Sequence, residues 1–156
     1  MKKVFLLLLV AASASAQTIS PLTSECSKKC SGSFTIKNNG LRPLTVTLEK
    51  KGFTVSKDGT PTLTPLPQGI EVELGASSAV VPIAGTHTFF FKMKCDELPC
   101  HAQILALMSS GDRLANSGLK LALGLPHVVY ACERKENCRL NTLRNFGYDP
   151  TLAAKK

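Results

Sequence analysis

Ser33-Phe34-Thr35-Ile36-Lys37-Asn38-Asn39-Gly40-Leu41-Arg42-Pro43-Leu44-Thr45-Val46-Thr47-Leu48 is the stretch whose reading decides the fold. Phe34 and Ile36 alternate with Ser33, Thr35 and Lys37. After Asn38-Asn39-Gly40, a turn signal, and Pro43, the apolar Leu44, Val46 and Leu48 alternate with Thr45, Thr47 and Glu49. A period of two places one set of side chains on a core and the other in water, so two half-buried strands are predicted. Asn and Gly suit the connection because they tolerate left-handed backbone.

The same period recurs downstream. Ile70, Val72 and Leu74 alternate with Glu71 and Glu73 up to Gly75. Ala79 to Ile83 is a short apolar piece whose Pro82 suggests an edge or irregular strand. Phe89, Phe91 and Met93 alternate with Thr88, Phe90, Lys92 and Lys94, and His101 to Ser109 is apolar on both faces, as a central strand would be. Cys95-Asp96-Glu97-Leu98-Pro99-Cys100 reads as a hairpin loop clamped by a disulfide between these two strands. The last strand begins at Leu119, with Leu119, Leu121, Leu123 and Leu125 on one face, and runs past Pro126 into His127-Val128-Val129-Tyr130. Residues 51–68, with Lys51-Gly52, Asp58-Gly59 and three prolines, read as a loop-rich crossing with one short strand near Phe53 to Val55. In the basic tail, Leu140, Leu143 and Phe146 form one or two helical turns ended by Gly147. Seven or eight short strands with almost no helix predict an all-β sandwich in a single domain.

The ends bound the compartment. Lys2 and Lys3, the apolar run Val4 to Val10 and the small residues Ala14-Ser15-Ala16 read as a secretory signal cleaved before Gln17. The expected organisation is a signal at 1–16, the sandwich at 17–131 and a basic C-terminal tail at 132–156. No later segment is apolar and long enough to span a bilayer. Export to a periplasm or outside the cell suits oxidised cysteines. The spacing suggests three local pairs, Cys26 with Cys30, Cys95 with Cys100 and Cys132 with Cys138, although cross-pairings stay open. A rival metal site of Cys95, Cys100 and His101 lacks a Cys-x-x-Cys spacing, and no metal or other cofactor is expected.

The order of segments resembles the PapD-like, MSP-like and Hydin-type immunoglobulin-like superfamily. The carriers are the 33–48 stretch, an alternating strand ending in Asn-x-Gly and followed by Pro and a second alternating strand, and Leu119 to Tyr130. The latter is similar to the long final strand of the N-terminal domain of periplasmic pilus chaperones, which also ends in an apolar-apolar-Tyr step. The resemblance implies an immunoglobulin-like sandwich that binds a protein partner, an exported pilus or envelope subunit, by strand addition at a sheet edge. Leu119, Leu121, Leu123, Leu125 and His127 are the corresponding edge residues. The family anchors its partner's terminal carboxylate with two basic residues. This sequence has His127 at one of those positions, no Arg or Lys in Gln17 to Glu25, and no second immunoglobulin domain. The four leucines also have a simpler use, filling the core.

Chemistry leaves few traces. His87, His101 and His127 lie in no Gly-x-Ser-x-Gly or His-Glu-x-x-His setting. Glu71 and Glu73 sit about 7 Å apart on one strand face with no opposing acid in sequence view. The net charge of +8 is scattered rather than clustered and no aromatic stacking motif accompanies it, which argues against nucleic acid. The expectation is an exported non-enzymatic module binding a protein. The alternative is a structural or surface-associated envelope domain without chaperone activity.

Overall fold

In a computed structural model, residues 17–27, 29–110, 123–133 and 137–147 are described. Ten strands and one helix follow in chain order: β1 Thr18–Ser20, β2 Thr23–Cys26, β3 Lys29–Lys37, β4 Leu44–Val55, β5 Pro61–Thr64, β6 Ile70–Leu74, β7 Ser78–Val81, β8 Thr86–Cys95, β9 Cys100–Ser110, β10 Leu123–Ala131 and α1 Cys138–Asn145. They form two packed sheets, one ordered β1-β3-β8-β6 and the other β2-β10-β9-β4-β5, with β7 also paired to β4. This is an immunoglobulin-like β-sandwich.

The alternation fixes which side chains meet. Phe34 and Ile36 of β3 and Phe89, Phe91 and Met93 of β8 point inward from the first sheet. Leu44, Val46 and Leu48 of β4 and Ala102, Ile104, Ala106 and Met108 of β9 face them from the second. Burying a side chain of Phe, Leu or Ile size stabilises by roughly 1.5–3 kcal/mol, so these two inner faces supply most of the drive to close the sandwich. β9 lies between β10 and β4, each antiparallel to it, as its two apolar faces predicted. Gly32 is needed under Phe91, since a Cβ there would lie 2.7 Å from the ring's Cζ.

Several elements depart from the sequence reading. The short strand expected near Phe53 to Val55 is present, but as the end of β4, which continues through Lys51-Gly52 where a turn was expected and pairs with β5 over Pro61–Thr64. Gly52 is there because the returning chain crosses it, with Pro65 O and Thr64 Oγ1 each 2.6 Å from where a Cβ would stand. Residues 95–100 do not form a hairpin. β8 ends in the first sheet and β9 starts in the second, so this segment turns the corner between sheets. Residues 18–26 also divide, with β1 antiparallel to β3 in one sheet and β2 parallel to β10 in the other.

The three disulfides are the local pairs Cys26–Cys30, Cys95–Cys100 and Cys132–Cys138. Local in sequence, the first two nevertheless join the sheets, because Cys26 is on β2 and Cys30 on β3, Cys95 on β8 and Cys100 on β9. They share one end of the sandwich: Ala131 is the register partner of both Cys26 and Cys100. The third pair fastens α1 there. Cys138 and Thr142 of the helix are buried, and the helix end rests through Phe146 on Phe53 and His101. Gly147 follows in the left-handed region at φ +79°, as a helix-ending glycine does.

Candidate functional site

The last strand is where a sheet edge opens. β10 pairs with β9 along its whole length, Leu123 to Ala131. Its other side is paired with β2 only from Val128 to Ala131. Among the described residues nothing pairs with that side from Leu123 to His127. Such a half-strand presents backbone carbonyls and the Gly124 N–H to any chain that can lie alongside. Pro126, which lacks an N–H, falls in the unpaired part, where it interrupts no ladder on the open side.

Side chains along this strand divide by parity. Leu123 is 49% exposed, Leu125 is half-buried against the core, and Val129 and Ala131 are fully inside. Leu119 and Leu121 lie outside the described residues. His127 shares the inward parity of Leu125 and Val129, and its ring is completely buried. It is stacked on Phe34 at 4.7 Å and tilted against Phe91 at 5.3 Å. Nδ1 lies 2.8 Å from the Pro21 carbonyl oxygen and Nε2 lies 3.2 Å from Ser24 Oγ. A carbonyl only accepts, so Nδ1 carries the proton and donates to Pro21, leaving Nε2 to accept from the Ser24 hydroxyl. Burial pushes the His127 pKa below its ordinary 6.5, with the Pro21 hydrogen bond pulling weakly the other way. A neutral ring in the core cannot stand as a surface cation for a partner's carboxylate. The place that the resemblance gives to a basic anchor is here a strut between β10 and the segment joining β1 to β2.

Outside the edge, the residues considered for chemistry have structural surroundings. His101 on β9 sends Nε2 to the Phe53 carbonyl oxygen at 2.9 Å and meets the rings of Phe53 and Phe146 edge-on, and burial lowers its pKa too. Tyr130, buried beneath α1, is pushed up by burial, with Arg139 drawing it back. Glu71 and Glu73 form exposed cross-strand pairs with Lys94 and Lys92, each at 3.8 Å. Cys95 and Cys100 are bonded to each other. Among the described residues no group of three metal-ligating side chains converges, and no helix is long and apolar enough to cross a membrane.

The sequence reading offered this strand as either a partner-binding edge or core, and the structure places His127, one of its candidate edge residues, inside the sandwich. The signal was available, since position 127 has the parity of Leu123 and Leu125 and so points where they point. What the sequence did not reveal was that β2 covers only the second half of β10.

Solved structures share this immunoglobulin-like sandwich. WR4, an MSP family member of C. elegans, superposes with a TM-score of 0.52 at 10% identity, over 76% of this chain and 99% of that one. YadV chaperone superposes with a TM-score of 0.52 at 11% identity, over 74% of this chain and 51% of that one. A chaperone–tip adhesin complex of CFA/I fimbriae biogenesis gives 0.51 at 8% identity, over 75% of this chain and 56% of that one. The chain thus spans about half the length of the chaperones it resembles and nearly all of the MSP protein. These likenesses establish the fold. No family model matches the chain, and no curated protein matches it by sequence.

Proposed function

We propose that the chain is an exported, non-enzymatic immunoglobulin-like module that binds a protein partner by strand addition along the open edge of β10, a pilus or envelope subunit being the partner class. The observation that carries this is the half-paired strand: β2 stops at Val128 while β10 continues to Leu123, whose side chain is exposed. Strand addition draws affinity from main-chain hydrogen bonds and specificity from alternating side chains, and Leu123 and Leu125 provide the alternation. Leu119 and Leu121 would extend it. Binding here works without the paired basic anchors of pilus chaperones, since His127 is internal and Gln17 to Glu25 holds no Arg or Lys.

That missing anchor favours a second reading, an envelope domain of purely structural use. A photo-crosslinking residue placed at 123 separates the two. Strand addition predicts one defined adduct in the exported fraction from position 123 and none from position 63, an exposed leucine on β5. Equal or absent adducts from both positions would leave the structural reading standing.

A further inference from the structure

β6 ends the sheet ordered β1-β3-β8-β6, and among the described residues no strand pairs with its outer side. The register decides which backbone groups face that side. Asp96 N–H donates to Gly69 O and Gly75 N–H donates to Phe90 O, both at 2.9 Å. Hydrogen-bonded rows alternate along an antiparallel pair, so Glu71 and Glu73 also turn their backbone groups to β8. Ile70, Val72 and Leu74 turn theirs outward. A row of this kind at the end of a sheet invites a further strand.

One side chain lies across that row. Lys50 is on β4, in the other sheet, and shares the parity of Leu44, Val46 and Leu48, which point into the core. An apolar residue at this parity would extend the core. Lys50 instead reaches from one sheet to the other along the flank of the sandwich, and its Nζ donates to Val72 O at 3.2 Å. Val72 is the middle residue of β6, so the ammonium occupies the acceptor at the centre of the open row. The Ile70 N–H is also turned aside, to Pro67 O at 3.4 Å. A strand adding here must displace the Lys50 ammonium or bury it, and burying an unpaired charge is costly. An inward-pointing lysine is one of the devices by which sheets protect their edges.

Glu71 and Glu73 bear on one incoming strand in particular. Both are exposed on the outer face of β6. In a two-fold pairing of β6 with a second copy of itself, centred on Val72, each Glu71 would lie opposite the other copy's Glu73. Like charges directly opposite one another destabilise a strand pair. We infer that Lys50 is the residue that keeps β6 from accepting a strand, and that Glu71 and Glu73 reinforce it against a second copy of the chain. The inference rests on the geometry of β6 alone and stands whether or not β10 takes a partner.

The test compares two variants of the full chain, Glu71→Gln with Glu73→Gln, and the same pair with Lys50→Ala added. Sedimentation velocity over a range of concentrations reads association, and amide exchange by NMR reads where it occurs. The double variant and wild type show no concentration-dependent protection of the Val72 and Leu74 amides, which face the open side. The triple variant self-associates, and those two amides slow by about tenfold or more as it does. Lys50→Arg in place of Lys50→Ala, which keeps a cationic donor, restores the behaviour of the double variant. All three replaced side chains are exposed, so melting stays near wild type, and Lys50→Ser serves if the alanine variant melts early. A triple variant that does not associate overturns the inference. So does association as strong in the double variant as in the triple, or association that leaves the Val72 and Leu74 amides unprotected.

Discussion

His127 shows what a buried polar residue does to stability. Its folded-state pKa lies below the ordinary 6.5, chiefly from burial, and His101 is shifted the same way for the same reason. Below pH 6.5 the unfolded chain therefore binds protons that the folded chain refuses, and the protein loses stability as the pH falls. Denaturant titrations at pH 7.5 and pH 5 should show this fall, and His127→Gln should make it shallower. An identical fall in the variant would mean that His127 does not titrate in this window. Replacing His127 with Ala should cost about 2–4 kcal/mol, because it opens a cavity between Phe34 and Phe91 and strands the Pro21 carbonyl. Asn38 poses a related question. Asn38→Asp keeps the shape and removes the Nδ2 donor that three carbonyls use. It should cost several kcal/mol, because a buried carboxylate facing carbonyls is repelled as well as unpaired. A melting temperature equal to wild type would refute that account of Asn38.

Elements were legible where alternation was uninterrupted. β3, β6, β8, β9 and the helix ending at Gly147 all follow from the spacing of apolar residues. Gly32→Ala tests how tightly two of these strands pack: with Phe91 above it, the extra methyl should cost about 1–3 kcal/mol by overpacking. A neutral outcome would show that the ring moves aside freely. The sequence misled where one residue type serves two ends. Lys51-Gly52 looks like a turn, but Gly52 serves close approach within a continuing strand. Likewise Cys95 to Cys100 has the length and polarity of a hairpin loop. Only the pairing of β8 with β3 and of β9 with β10 and β4 shows that its ends belong to different sheets. Pairing is non-local information, and a local pattern does not contain it. For the candidate site, the leucine-bearing final strand was legible but whether it was edge or core was not, because that depends on where β2 begins beside it.

The whole molecule is polarised. One end holds three disulfides and the docked helix, with the open edge of β10 running from Leu123 toward it. Each of the two sheet-joining disulfides closes a short loop and should contribute about 2 kcal/mol by the chain-entropy argument. Cys95→Ala with Cys100→Ala should lower stability by that amount without unfolding the sandwich, since the inner faces of the sheets remain. Loss of the cooperative transition would show that the corner depends on the bond. The central claim is that β10 is half open and that a partner strand closes it. Hydrogen exchange read residue by residue by NMR tests this directly. In the free protein the Gly124 amide, the one N–H of 123–127 that points away from β9 because Pro126 has none, should exchange fast, and the Val128 and Tyr130 amides facing β2 slowly. With the partner bound, the Gly124 amide should become protected. Slow exchange across the whole strand in the free protein, or no added protection in the complex, would contradict it.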